Sequence, residues 1–233
     1  GKIELAVIEK AKECLLRGRS ENVEFQLNEK EGALMMACGG QTEVFIQVFL
    51  PDQKLLIAGG GHIGLELERM GRQMGFQTVV FDDREEFVNR ERFPEANERI
   101  HGDFQESLSA YPVDDGCYIV IVTKGHMNDF DVLKKVIGRG ARYIGMIGSR
   151  NKVRTTFDRL VSENVDRELL DRVHAPCGLA LGGGTPAEIA LSIMAEIQMV
   201  KAGGSLEHMK DHKKTGHGEK NDPEKGDGCE STN

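Results

Sequence analysis

The residues most able to do chemistry begin with Gly59-Gly60-Gly61-His62-Ile63-Gly64, which has the G-x-G-x-x-G spacing. Such a run means little by itself. Here it follows the apolar stretch Leu55-Leu56-Ile57-Ala58 and opens a helix near His62, the context a dinucleotide fingerprint requires. Gly59 permits the tight turn, Gly61 lets the backbone approach a pyrophosphate, and Gly64 allows helix and strand to pack closely. Backbone N–H groups and the helix dipole at that start favour an anion. Asp82 lies 18 residues past Gly64, at the end of Thr78–Phe81, where an acidic side chain can accept hydrogen bonds from ribose hydroxyls. Asp83-Arg84 comes next, and an arginine there suits a 2′-phosphate, so NAD and NADP both stay open.

Three more stretches offer functional groups. In Thr123-Lys124-Gly125-His126-Met127-Asn128-Asp129, His126 offers an acid/base or ligand and Thr123 a phosphate or substrate contact. The plainer alternative is a loop in which Asn128 or Asp129 caps the next helix. Gly148-Ser149-Arg150-Asn151-Lys152 reads as a helix start with cations and a hydroxyl, suited either to an anion or to simple capping. Gly182-Gly183-Gly184-Thr185 is a second glycine-rich approach to a helix; three glycines exceed what a turn needs, which suggests close approach of a ligand or another chain. The five cysteines show no C-x-x-C pair and no metal-ligand spacing. Cys14 and Cys117 lie on apolar faces and read as core, whereas Cys38 and Cys177 stand where a thiol could be a soft ligand or a sulfur carrier.

The elements that must position these groups follow from periodicity. From Lys54 onward, short apolar runs alternate with amphipathic stretches, which predicts an α/β fold with a Rossmann-type, doubly wound parallel sheet. Strands are expected at Leu55–Ala58, Thr78–Phe81, Arg99–His101, Tyr118–Val122 and Tyr143–Ile147. Helices are expected to start near His62, Glu85, Phe104, Asn128 and Asn151, with a short one near Arg167. Thr185, Pro186 and Glu188 announce a last helix through a capping box, running to about Lys201. Ahead of this domain, placed at 54–202, residues 1–50 read as a small unit: one amphipathic helix and β-prone runs at Val23–Leu27, Ala33–Cys38 and Val44–Phe49. Residues 203–233 are nearly all charged, polar, Gly or Pro and are expected to be a disordered tail.

Composition narrows the partners. With 30 Lys+Arg against 38 Asp+Glu, the formal charge is −8, so nucleic acid and anionic membranes are not expected ligands. No apolar run reaches the length of a bilayer span. Unpaired cysteines fit a reduced, cytoplasmic setting.

Taken in order, the motifs resemble one family, the xanthine dehydrogenase accessory proteins of XdhC/CoxI type. The stretches are Met36-Ala37-Cys38-Gly39-Gly40 with Glu43-Val44-Phe45-Ile46 soon after, Ala58–Gly64, Phe81-Asp82-Asp83-Arg84 followed by Arg92-Phe93-Pro94, Thr123-Lys124-Gly125-His126 with Asp129, Ile144–Arg150, and Pro176-Cys177-Gly178-Leu179 leading into Thr185–Ile197. The resemblance implies a chaperone, not a dehydrogenase. Its expected cargo is molybdenum cofactor, the molybdopterin complex. It would support sulfuration with a cysteine desulfurase and deliver the cargo to a xanthine dehydrogenase-like molybdenum hydroxylase. The crevice would then hold a pterin phosphate or its nucleotide extension, with Cys38 the better candidate for a thiol near molybdenum. Longer family members carry a further upstream segment, so this chain resembles a short form or fragment whose site a dimer partner completes. From the glycine loop alone, the alternatives are an NAD(P)-dependent oxidoreductase and a non-catalytic NAD(P) sensor.

Overall fold

A computed structural model describes residues 2–26, 41–48 and 53–211 of the chain. The expected strand at Ala33–Cys38, and Cys38 itself, lie outside the described residues, as do 212–233 of the expected tail.

The N-terminal unit consists of helix α1 (Lys2–Arg17) and strands β1 (Glu21–Gln26) and β2 (Gln41–Ile46), paired antiparallel. Cys14 and Ile46 are its buried apolar side chains among the described residues.

The main sheet contains β3 (Lys54–Ala58), β4 (Gln77–Asp82), β5 (Glu98–His101), β6 (Cys117–Ile121) and β7 (Tyr143–Met146), all parallel, in the order β5-β4-β3-β6-β7. Chain order therefore runs outward from β3 on one side and then on the other, and the direction reverses between β3 and β6. Their registers are level: Ala58 lies opposite both Phe81 and Ile121. The carboxyl ends of the three central strands thus open on one crevice, the place where ligands bind in such sheets.

Alternate side chains of the strands enter two separate cores. Leu55, Ile57, Val80, Tyr118 and Val120 pack under α2 (His62–Gln73) and the last helix, α7 (Pro186–Ala202). Leu56, Val79, Phe81, Ile119 and Ile121 pack under α3 (Phe104–Ala110), α4 (His126–Val136) and α5 (Arg150–Ser162), with α6 (Arg167–Leu170) beside them. Burial on both faces is why these strands read as continuous apolar runs. In α7 the buried Ala190, Ile193, Met194 and Ile197 recur at i, i+3, i+4 and i+7, the stripe that seats a helix on a sheet.

One expected helix does not form. After β4 there is only a single 3₁₀ turn, Glu85–Phe87. Phe87, Val88 and Phe93 are spaced too irregularly to make a helical stripe, and Pro94 cannot continue one. Buried Val88 and Phe93 anchor the segment instead. Nor do Asn128 and Asp129 cap α4, because the helix starts two residues earlier with Gly125 at its cap.

Candidate functional site

The glycine loop leaves β3 and enters α2, and its glycines meet different neighbours. Gly59 has φ +119°, and a Cβ there would stand 2.5 Å from the Val122 carbonyl oxygen. A Cβ on Gly60 would stand 1.8 Å from the Phe87 carbonyl oxygen, and one on Gly64 would stand 2.1 Å from that of Gly59. Gly61 faces open space. Gly60 is fully engaged: its N–H donates to Asp82 Oδ2 at 2.7 Å and its carbonyl accepts from Arg92 Nε at 2.8 Å. Its amide is therefore already paired with a protein carboxylate.

Asp82 ends β4 with only 1% of its surface exposed. Besides Gly60 it accepts hydrogen bonds from Arg84 N, Nε and Nη2. Burial pushes its pKa up, and the hydrogen bonds from Arg84 and Gly60 more than offset this, so the carboxyl lies below its ordinary value. Asp83 is exposed and accepts from Asn128 Nδ2 at 3.3 Å, which ties the loop after β4 to the start of α4.

Across the crevice, Thr123 follows β6 and donates to Asp129 Oδ1 at 2.6 Å. Asp129 is fully buried, and its other oxygen pairs with Lys152 Nζ from α5. The Thr123 hydroxyl is thus turned toward an internal carboxylate. His126 is the first residue of α4.

Five helices begin at or near this edge, and their starts differ; Asp103 caps α3 by accepting the Gln105 and Glu106 N–H groups. Ser149 caps α5, its hydroxyl accepting the Lys152 N–H at 3.2 Å; Gly148 precedes it and Arg150 is exposed. At α7, Thr185 Oγ1 accepts the Glu188 N–H, while Glu188 Oε2 accepts the Gly184 and Thr185 N–H groups, both at 2.9 Å. Those donors hold the Glu188 carboxyl below its usual value. A Cβ on Gly183, whose φ is +93°, would stand 2.7 Å from that carboxylate. Gly183 therefore makes room for the protein's own anion, whereas Gly182 and Gly184 face open space. By contrast, neither α2 nor α4 has a side-chain cap: Gly61 and Gly125 hold the cap positions. These two uncapped starts flank the point where strand order reverses, and His62 and Ile63 occupy the first turn of α2. Uncapped amides and the dipole there suit an anion.

Cys177 lies at the end of a strand-like extension beside β7, where its N–H donates to the Met146 carbonyl at 3.0 Å. Burial, then the nearby carboxylates of Glu196 and Asp129, push its thiol up to about 12. A thiol held protonated is a poor nucleophile and metal ligand. Among the described residues, no cluster of His, Cys, Asp and Glu has the makings of a metal site.

The extension is held by a network that periodicity does not reveal. Glu196, on the buried side of α7, accepts from Tyr143 OH at 2.6 Å and from the Gly178 N–H at 2.9 Å; His174 Nδ1 lies 3.4 Å from its other oxygen. The Tyr143 and His174 rings stack at 4.6 Å. The one hint in the sequence is a glutamate set among Ile193, Met194 and Ile197. Arg92, under the glycine loop, shows no periodicity either; its signal is its place in the Arg92-Phe93-Pro94 stretch that carries the family resemblance.

A parallel sheet in this order, with a glycine turn between its first strand and first helix, defines a Rossmann-type domain. Residues 55–197 match the XdhC Rossmann domain, and the chain belongs to that family. It is 33% identical over 183 residues to Uncharacterized protein YqeB of Escherichia coli (strain K12), covering 77% of this chain and 33% of that relative. It is 28% identical over 156 residues to a probable xanthine dehydrogenase subunit from Bacillus subtilis (strain 168), covering 67% of this chain and 45% of the relative. The crystal structure of a xanthine dehydrogenase from Bacillus halodurans superposes with a TM-score of 0.61 at 20% identity, over 86% of this chain and 65% of that one. The chain thus spans under half the length of these two curated relatives. Among its described residues no helix is long and apolar enough to cross a membrane.

Proposed function

We propose that the protein is an accessory factor that carries molybdenum cofactor, supports its sulfuration with a cysteine desulfurase, and delivers it to a xanthine dehydrogenase-like molybdenum hydroxylase. On this reading it works in the cytoplasm as a homodimer and catalyses no turnover of its own. Family membership supports the reading, as does the name borne by the Bacillus subtilis relative. The observation that carries it is the contrast among helix starts. Serine, threonine and glutamate side chains close α5 and α7, whereas α2 and α4 present uncapped amides on either side of the switch point. The terminal phosphate of a pterin cofactor suits that position.

The NAD(P) alternatives rest on the same glycine loop, and the engagement of Asp82 weighs against a nicotinamide dinucleotide with a free ribose. The test is loading: purified protein is incubated with molybdenum cofactor, desalted, and assayed for retained molybdenum and for activation of an apo-hydroxylase. Stoichiometric retention with activation is expected. Retention no greater than that of an unrelated Rossmann protein, together with micromolar binding of NADH, would replace this function with the nicotinamide reading.

A further inference from the structure

Helix α5 begins against its own electrostatics. The N-terminal turn of a helix carries partial positive charge, which acids stabilise and cations oppose. Helices α3, α4, α6 and α7 follow that rule, with Glu106, Asp129, Glu168 and Glu188 in their first turns. The first turn of α5 holds no acid; it opens with Arg150 and Lys152, and Arg154 stands one turn on. Arg150 and Arg154 are four residues apart, the spacing at which like charges repel along a helix. Lys152 is relieved by its pairing with buried Asp129. Arg150 and Arg154 are exposed, and no carboxylate among the described residues pairs with either, Asp158 one turn beyond Arg154 included. Lys124, exposed in the loop ahead of α4, is likewise without an ion pair among those residues. Unpaired cations thus collect on one edge of a chain whose formal charge is −8. Folding gains nothing from placing Arg150 and Arg154 there.

Beside these cations a groove of about 460 Å³ opens between α4 and α5. That volume falls in the range of ligand pockets. Met127 and Phe130 form one wall, and Asn151, Thr155 and Arg159 form the other; the lining is mostly apolar. Arg159 is part of the wall and not a free charge, because its guanidinium lies 3.7 Å from the centre of the Phe130 ring and its Nε lies 3.4 Å from Glu163. Asn151 and Thr155 each directly follow an arginine, which sets Arg150 and Arg154 about 100° round the helix, at the rim. Met127 keeps 59% of its surface exposed, and its unbranched thioether adapts to the partner it meets. An apolar slot with unpaired cations at its rim complements an acidic segment that carries an apolar side chain among its carboxylates. A nucleic acid fits poorly, since its affinity needs a long row of phosphate contacts and the rest of this chain repels it.

We infer that the groove between α4 and α5 is the docking site of a protein partner: an acidic segment inserts an apolar side chain between Met127 and Thr155 and sets its carboxylates on Arg150 and Arg154. The inference goes beyond the proposed carrier function, which would only say that the docked protein is a client or a sulfur donor.

The experiment selects random displayed peptides on the full chain and measures the winners by fluorescence anisotropy. Selected peptides are expected to carry a large apolar residue flanked by aspartate or glutamate, and replacing those acids by their amides weakens binding at least about tenfold. The double variant Arg150→Glu with Arg154→Glu loses about as much, while it melts at or above the wild-type temperature because it now follows the helix dipole. Met127→Ser, which leaves the charges in place, weakens binding by about threefold or more through lost apolar contact. Selected peptides that lack acids, equal binding by the double variant, no selection of any peptide, or tighter binding of a single-stranded oligonucleotide overturns the inference. If the glutamate pair melts below wild type, Arg150→Gln with Arg154→Gln decides by the same tenfold criterion. None of these readouts involves retained molybdenum, so the docking site and the carrier function stand or fail separately.

Discussion

Gly60 and Gly61 are neighbours under different constraints, and the difference separates folding from binding. At Gly60 a methyl group would run into the Phe87 carbonyl at 1.8 Å, and both peptide groups that might move are already hydrogen-bonded. At Gly61 a methyl group meets nothing within 4 Å, and φ of −66° suits any residue. Gly60→Ala is expected to destabilise by about 1–3 kcal/mol, the usual range for forced overpacking. Gly61→Ala is expected to melt within about 1 °C of wild type, under the roughly 2–4 °C that 1 kcal/mol produces in a chain of this size. If cargo approaches the backbone there, the same Gly61→Ala protein loses retention by at least about tenfold, corresponding to 1.4 kcal/mol of lost contact. A Gly61→Ala protein that binds normally would mean that the ligand does not approach this backbone.

At the scale of elements, the extension from His174 to Gly178 is attached to β7 by backbone hydrogen bonds and to α7 through Glu196. Burial raises the Glu196 pKa, but the hydrogen bonds from His174, Tyr143 and the Gly178 amide outweigh it and leave the carboxyl below its ordinary value. A depressed folded value means that ionised Glu196 contributes stability above the unfolded carboxyl pKa of about 4.3, and that this contribution disappears as pH falls through the folded value. Glu196→Gln should therefore lose roughly 1–3 kcal/mol at pH 7, the range for a buried hydrogen-bond network left unsatisfied. The gap to wild type should narrow as pH drops below about 4. Urea unfolding at several pH values measures both effects, and a pH-independent gap would assign the loss to packing alone. This network also marks how far the sequence could be read. Strands β3, β4, β6 and β7 were legible because burial on both faces writes continuous apolar runs. The start of α7 was legible because Thr185, Pro186 and Glu188 act locally. The segment after β4 misled because its acidic start resembles a helix, while Phe87, Val88 and Phe93 follow no helical period. Within the crevice the residue types were legible but their engagements were not. Asp82 with Arg84, Thr123 with Asp129 and Lys152, and Tyr143 with Glu196 are joined by tertiary proximity, which no spacing along the chain encodes.

At the scale of the whole molecule, burial is distributed unevenly, and stability should follow it. Residues Leu55–Ala58, Val79–Val80 and Tyr118–Ile121 are fully buried between two layers of helices. The N-terminal unit buries Cys14 and Ile46 while Leu5, Ile8, Leu15 and Phe45 are each at least half exposed. A two-stranded sheet is marginal by itself, and the two apolar side chains buried among the described residues of this unit add little to it. Amides of β3, β4 and β6 should therefore exchange with solvent only through global unfolding, on the order of 5–15 kcal/mol for a domain. Those of β1 and β2 should exchange through smaller local openings, with protection lower by roughly 3 kcal/mol or more on the same scale. Native-state hydrogen exchange followed by mass spectrometry resolves the two classes. Equal protection would show that the hairpin is covered, and because Leu5, Ile8, Leu15 and Phe45 are the uncovered apolar groups, repeating the exchange at several protein concentrations tells how. Protection that rises with concentration places those residues in the proposed homodimer contact, while protection independent of it means that they are covered within a single chain.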